Sequence, residues 1–482
     1  MSTTQPETRP DICTPHTSTD GASADTAGED SAGEKVERRT FLRTAAVAGI
    51  GLSMADGVGR VWAAPSDRVR VAVMGLNGRG SELTRVLAAQ PNTEVVYVCD
   101  VDSRAIDKGL AAAQKGSAQL GGAASKPTGI KDFRKALDDK SVDALVVAAP
   151  DHWHAPAAIR AVSAGKHVYV EKPCSQNPHE GELLVAATRK HQRIVQMGSQ
   201  RRSWPNIIDI VKQLRDGSAI GRVYYAKGWY TNTRPTISIG KPAAVPEWLD
   251  FDLWQGPAPR RAFKDNLVHY NWHWFWHWGT GEACNNGTHE IDVMRWGLGV
   301  DYPKRVISGG GRYQFQDDWE FPDTQVVTYD FDGRKSMMWE TRSCNGRTCE
   351  GLPRGIVFYG ENGSVQIDGN GYTIFDQKNK VVKEVKEAQG AEDTSASSVL
   401  GPGAALDAFH LANFLHAIRT NTPPSAEIEH GHKSVLLCHL GNIAWKTGRA
   451  LTCDPANGRI LNDADAMKLW QREYEPGWEP KV

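Results

Sequence analysis

Val69-Arg-Val-Ala-Val-Met74 runs directly into Gly75-Leu-Asn-Gly-Arg-Gly80, and residues 81–89 then take on helical character. An apolar strand, a glycine turn and a helix, in that order, are the setting of a dinucleotide-binding turn. Gly75 allows the tight turn. Gly78 or Asn77 sits where backbone must approach a pyrophosphate, with Arg79 beside it. Gly80 lets helix and strand pack closely. The helix N-terminus offers partial positive charge to the phosphates. A strict G-x-G-x-x-G wants glycine where this chain has Asn77, so the turn alone is a weak signal. The second strand strengthens it. Glu94-Val-Val-Tyr-Val-Cys99 ends in Asp100, 25 positions after Gly75. An acid there accepts hydrogen bonds from the adenosine ribose, and its charge repels a 2′-phosphate. NAD is therefore favoured over NADP, with Arg104 near enough to leave NADP open.

The alternation continues outward from that turn. Asp143-Ala-Leu-Val-Val-Ala-Ala149 reads as a buried strand ending at Pro150, and 155–164 as a helix. His167-Val-Tyr-Val170 ends at Glu171-Lys172-Pro173, 178–191 is helical, and 193–197 is a further strand. Repeated strand–helix units predict a parallel sheet with helices on both faces. Ligands bind at the carboxyl ends of such strands. Gly75, Asp100, Pro150, Lys172 and Gly198 all fall at those ends. A lysine there can donate to a substrate hydroxyl or a ribose, and partial desolvation would lower its pKa toward neutrality.

After Arg201 the pattern changes. Gly221-Arg-Val-Tyr-Tyr-Ala-Lys-Gly-Trp-Tyr230 alternates like a strand covered on one face, and further strands start near Lys304, Asp323, Lys335, Gly355 and Gly363. Short turns between consecutive strands imply antiparallel pairing. Late helices are expected at 405–419 and 432–447. The fold class is α/β: a Rossmann domain over 66–200, an α/β domain with a large open, mostly antiparallel sheet over 201–455, and a C-terminal tail, 456–482.

Bulk properties narrow the function. The 482 residues carry a formal net charge of -1, without the Lys/Arg excess that phosphate binding needs, so no nucleic-acid partner is expected. No apolar run reaches the ~18 residues of a membrane span, so no membrane partner is expected. The eight cysteines lack framework spacing. Residues 1–36 are Ser-, Thr-, Asp-, Ala- and Gly-rich and read as a disordered leader. Arg38-Arg39-Thr40-Phe41-Leu42, a weakly apolar stretch and Val61-Trp62-Ala63-Ala64 read as a twin-arginine signal over 37–64. That route implies the twin-arginine machinery as a partner, an extracytoplasmic location and a cofactor carried along already bound, hence tightly held.

Four motifs together resemble one family. Gly75-Leu-Asn-Gly-Arg-Gly80, Ala149-Pro-Asp-His-Trp-His154, Glu171-Lys172-Pro173 and Thr288-His-Glu-Ile-Asp292 are similar to the glucose–fructose oxidoreductase, inositol dehydrogenase and rhizopine-catabolism (Gfo/Idh/MocA) group, over about 68–452. The resemblance implies hydride chemistry on a sugar or polyol, and a sheet face that builds homo-oligomers. It places Glu171 and Lys172 at the cofactor, with Lys172 assisting proton transfer beside the nicotinamide. It implies that Trp153, His154 and Gln200 face the cofactor, and that His289 is the general acid/base. The family often has Asp four residues before that histidine, where this chain has Asn285, which can orient a hydroxyl but carries no charge.

Candidate substrate contacts are Arg202, Asn285, Asp292, His273 and His277. Asp292 reads more readily as a helix anchor than as a catalyst, and Arg202 equally as a surface charge. His273 and His277 stand at i, i+4 spacing among tryptophans, which could hold a metal on a helix, but no third ligand follows and none is assigned. An aromatic substrate wall is the preferred reading. A dehydrogenase is expected first. A redox-neutral enzyme of the glycoside hydrolase family 109 type comes second; its Tyr-Pro-Thr-His stretch is here Asn286-Gly-Thr-His289. A non-catalytic sensor ranks last, because Lys172 and His289 are both present.

Overall fold

The structure, a computed structural model, describes residues 68–119, 125–369, 371–386 and 404–482. The expected leader and export signal lie outside the described residues. Strand β1 (Val69–Met74) leads through the glycine turn to α1 (Arg79–Ala88). Then follow β2 (Thr93–Cys99), α2 (Ser103–Ala118), β3 (Thr128–Ile130), α3 (Arg134–Asp138), β4 (Ala144–Val147), α4 (Asp151–Ser163), β5 (His167–Val170), α5 (Pro178–His191) and β6 (Val195–Met197). The strands pair in parallel in the order β3-β2-β1-β4-β5-β6. Central strands such as Ala144–Val147 are buried along their whole length, as a sheet covered on both faces requires. The order reverses between β1 and β4, and a crevice opens there at the strands' carboxyl ends.

The second half begins with α6 (Pro205–Asp216) and β7 (Val223–Thr231), followed by α7 (Phe251–Gln255), α8 (Gly281–Asn285) and α9 (Gly287–Leu298). Seven strands come next: β8 (Arg305–Gly311), β9 (Thr324–Phe331), β10 (Lys335–Arg342), β11 (Arg354–Gly360), β12 (Gly363–Ile367), β13 (Gly371–Asp376) and β14 (Val381–Lys386). Helices α10 (Ala404–Thr420) and α11 (Ile428–Thr447), strand β15 (Leu451–Thr452) and helix α12 (Ala464–Met467) complete the chain. Nine strands form one sheet, β14-β13-β12-β11-β7-β10-β9-β8-β15. β7 and β10 pair in parallel and the other neighbours antiparallel. In β9 the residues Gln325, Val327, Tyr329 and Phe331 alternate inward, so one sheet face packs against α6, α9 and α11.

The chain then returns to the first domain. Leu411, Phe414 and Leu415 of α10 pack with Val71, Val73 and Tyr169. Helix α11 gives Ile428 and Val435 to the β4–β6 side, and Leu436, Leu440 and Ile443 to the nine-stranded sheet. A helix apolar around its whole circumference is a buried one. The segment expected as a tail is also built in: Trp470 joins the second core, and Arg472 pairs with Glu180 of α5. Periodicity along the chain shows which face of a helix is apolar, but not which core receives it.

Three histidines on these returning helices, His410, His432 and His439, are buried. Burial pushes His410 and His432 down to about 4 and His439 to about 3. His410 fits the neutral form: Nδ1 meets the Ser203 hydroxyl at 2.7 Å and Nε2 the Met197 carbonyl at 2.9 Å, one acceptor and one donor. The sign of the linkage follows. Above pH ~6.5 neither state binds these protons; below it only the unfolded chain does, so stability falls as pH drops from about 6.5 toward about 4. The urea unfolding midpoint is expected to be lower at pH 5 than at pH 7, and equal midpoints would contradict the buried neutral histidines.

Candidate active site

A cavity of about 790 Å³ lies at the carboxyl ends of β1, β2, β4 and β5 and runs up to α9 of the second half. Its floor is the glycine turn. Gly75 has φ +87°, and a Cβ there would sit 2.6 Å from the backbone of Ala148 and Ala149. A Cβ on Gly80 would lie 1.6 Å from the Gly75 carbonyl oxygen, whereas one on Gly78 would meet nothing within 4 Å. Two glycines are thus needed for close packing, and the third leaves the turn open. No side chain caps α1 at Gly78; the Ser81 amide donates to the Gly78 carbonyl at 3.1 Å, and the amides of Arg79 and Gly80 precede the first acceptor of the helix. That cradle fits a dinucleotide's pyrophosphate.

The charged groups around the turn are held in place. Arg79 donates to both carboxylate oxygens of Asp407 (2.6 Å each) and through Nε to Glu171 (2.9 Å). It ties the turn to α10 and to the end of β5 while still lining the cavity. Asn77 accepts from Lys108 at 2.7 Å. Asp100 accepts from the amides of Leu76 (2.5 Å) and Asp102 (2.9 Å); burial raises its pKa against those amides. Arg104, the residue that could welcome a 2′-phosphate, pairs with Asp102 at 2.9 Å and stacks on Trp248 at 3.5 Å. Asp100 thus lines the cavity with no ion-pair partner among the described residues, which suits the ribose hydroxyls of NAD.

Across the cavity Lys172 donates to the Asn285 carbonyl (2.5 Å) and to its Oδ1 (3.3 Å). Burial lowers the Lys172 pKa, with Glu171 and Asp151 opposing. His289, 5% exposed, lines the same space from the first turn of α9. Burial, then the charges of Lys172, Arg354 and Arg201, hold its pKa well below the usual histidine value. Its Nε2 has no hydrogen-bond partner among the described residues. The aromatic wall exists: Tyr270, Trp272 and His273 line the cavity, with Trp272 and His273 stacked at 3.6 Å.

Trp153 and His154 line the cavity as well. Trp153 donates to the Trp254 carbonyl at 2.9 Å, and the His154 ring spans the carbonyls of Pro173 and Ala149 (2.6 and 2.7 Å). Four expectations are corrected. Arg202 and Asp292 are not at the substrate: they form a buried two-pronged pair (2.8 Å), with Ser434 donating to Asp292 at 2.6 Å. Neither lines the cavity, because a buried guanidinium needs its carboxylate directly opposite. His277 bonds the Pro259 carbonyl at 2.8 Å and faces a different cavity. It is parted from His273 because residues Asn271–Trp274 form a single 3₁₀ turn and Phe275 is extended. Gln200 does not line the cavity; it donates to Tyr169 and to the cavity-lining Glu171, both at 3.1 Å.

Two site residues escaped the sequence reading. Asp151 lines the cavity and accepts from Thr280; its place directly after Pro150, at a strand end, was the available signal. Glu282, 1% exposed, accepts from Arg234 (2.8 Å), Ser343 (2.9 Å), Asn285 Nδ2 (3.2 Å) and Asn286. Glu282 stands three residues before Asn285, the helical neighbour spacing.

Residues 69–199 match a Gfo/Idh/MocA family profile described as an oxidoreductase family with an NAD-binding Rossmann fold; residues 228–362 match its C-terminal alpha/beta domain profile. Together they cover more than half of the chain. A glycosyl hydrolase family 109 protein of Saccharopolyspora erythraea is 29% identical over 255 residues, 47% of this chain and 55% of that protein. An inositol 2-dehydrogenase of Salmonella typhimurium is 25% identical over 236 residues, 48% of this chain and 56% of that protein. The chain thus spans just over half the length of these curated relatives. Among solved structures, levoglucosan dehydrogenase in complex with NADH and levoglucosan aligns over 80% of this chain and 99% of that one (TM-score 0.60, 17% identity). A probable dehydrogenase from Thermotoga maritima covers 81% and 100% (TM-score 0.56, 18% identity). At these identities the likeness is one of fold.

Proposed function

The chain belongs to the Gfo/Idh/MocA family of NAD-binding oxidoreductases, and from that premise we propose that it oxidises a hydroxyl of a sugar or polyol. The observation that carries this reading is that Lys172 and His289 line one cavity with the glycine turn and Asp100. Gly75, Gly78, Gly80 and Asp100 would hold NAD, which supplies the two-electron acceptor. The protein's own part is proton handling. His289, kept neutral by burial, accepts the hydroxyl proton. Lys172 donates a hydrogen bond to the same oxygen as that proton leaves, and burial lowers its pKa. Asn285 fixes the ammonium. Tyr270 and Trp272 offer a flat face to the sugar ring and exclude water.

A second reading is a redox-neutral cycle that ends in glycoside cleavage. The similarity to a family 109 protein favours it, and Thr288-His289 is the part of that group's motif present here. Tight retention of the cofactor suits this cycle and the export signal proposed for 37–64. Assembly into a homo-oligomer is supported by the uncovered face of the nine-stranded sheet, where Ile307 and Val326 stand exposed. The test is to purify the protein without added cofactor, identify any ligand released on denaturation, and incubate the protein with free sugars and aryl glycosides. NADH formed from NAD and a sugar supports the dehydrogenase. Stoichiometric bound NAD with glycoside cleavage and no net NADH supports the second reading. Neither result, with NAD supplied, overturns both.

A further inference from the structure

A second cavity, of about 500 Å³, lies behind the wall formed by Asp151 and Thr280. It shares no lining residue with the nicotinamide cavity. Asn442, 4% exposed, lines it; Nδ2 donates to the Thr280 carbonyl at 2.8 Å, and Oδ1 has no hydrogen-bond partner among the described residues. Arg472 lines it too: Nε donates to Glu180 and Nη2 to the His152 carbonyl, while Nη1 is left without a partner among the described residues. Two residues of the cavity lining thus carry one buried acceptor and one buried donor without a partner among the described residues, and buried polar atoms are as a rule satisfied. A ligand that carries hydroxyl groups meets both needs, since each hydroxyl donates and accepts.

The rest of the lining narrows the ligand. Trp276, packed on Phe321 at 4.6 Å and with the Lys446 ammonium 5.0 Å over its ring, sets aromatic surface among polar groups, a lining for a ligand that carries both C–H and hydroxyl groups. The charges balance. Arg260 pairs with Asp252 and Arg472 with Glu180, while Arg261 and Lys446 are matched by Glu320 and Glu473 in the same lining. Burial pushes His277 and His439 down to about 4 and about 3, so neither adds charge near neutrality. No net field selects an anion. We propose that this cavity is a second carbohydrate site, for a neutral pyranoside, distinct from the nicotinamide cavity. Its occupant touches Asn442, which holds the Thr280 carbonyl, while the Thr280 hydroxyl donates to Asp151 in the first cavity. This site goes beyond the redox reading and stands or falls separately from it.

The test uses the full chain loaded with NAD and labelled with 5-fluorotryptophan, the Trp276 resonance being assigned by its loss in Trp276→Phe. Methyl β-glucoside, methyl β-galactoside, methyl α-mannoside and methyl β-glucuronide are titrated in turn. The expected result is a saturable shift of the Trp276 signal with at least one neutral glycoside, retained in Lys172→Met. Asn442→Leu should weaken it roughly tenfold, the effect of one lost hydrogen bond. No saturable shift with any of the four, or a shift with the glucuronide alone, overturns the proposal. A Trp276 response from a protein that, with NAD supplied, neither forms NADH from a sugar nor cleaves a glycoside would leave this site standing and remove the redox reading.

Discussion

Lys172→Met is expected to lower turnover by about 100- to 10,000-fold, the range of a lost general acid/base, while NAD binding persists. The cavity floor that would hold NAD is built from Gly75, Gly80 and the Arg79–Asp407 clamp, none of which Lys172 touches through a hydrogen bond. His289→Ala should act in the same range, by removing the neutral imidazole from the first turn of α9. The pH dependence separates the two groups. Lys172 must be protonated to donate to the hydroxyl oxygen, so kcat/KM should fall as pH rises through a pKa below the ordinary lysine value, and that basic limb should vanish in Lys172→Met. Histidine 289 is held well below its usual range, so no break is expected near pH 6.5. Turnover within a few-fold of the parent in both variants, with NAD bound, would remove the assignment. A break near pH 6.5 that disappears in His289→Ala would show that the imidazole titrates in its ordinary range.

What the chain discloses of this site depends on how far apart in sequence the partners stand. The Rossmann half is legible because its information is local: an apolar run, a glycine turn and an acid after the next strand occupy one continuous stretch, 69–100. Strand β3 is the exception, since three residues at a sheet edge carry too little pattern. The second half is legible as alternating strands, but its polar pairs are not. Arg202 and Asp292 are 90 residues apart, and each alone looks like a substrate contact until the fold sets them face to face. His273 and His277 mislead for another reason: i, i+4 spacing means proximity only on an α-helix, and here a tight turn and an extended residue intervene. Two of the four tryptophans of that stretch, Trp274 and Trp278, go to packing, while Trp276 lines the second cavity. Trp254, Trp274, Trp278 and Trp319 form an aromatic core, with Trp274 and Trp319 stacked at 3.7 Å, while Trp272 faces the cavity. Composition could not divide them.

Glu282→Ala is expected to destabilise the fold by about 3–5 kcal/mol, the range for removing one partner of a buried ion pair, because Arg234 would keep its charge without its carboxylate. The same change should reach the chemistry. Glu282 accepts from the Asn285 side chain, and Asn285 receives both hydrogen bonds of the Lys172 ammonium. An uncharged asparagine thus stands between a buried carboxylate and the lysine, so the negative charge absent at 285 is present one turn earlier. Glu282→Gln distinguishes the two consequences. The amide keeps the shape and can still accept from Asn285, but it no longer offers Lys172 a nearby anion through that chain. If Glu282 acts on the lysine, the basic limb of kcat/KM should move to lower pH in Glu282→Gln, since a nearby anion favours the protonated amine. A purely structural carboxylate would lower the urea midpoint in both variants and leave the limb where it was. Measuring both quantities on the same two proteins decides between a brace for the fold and a brace for the proton carrier.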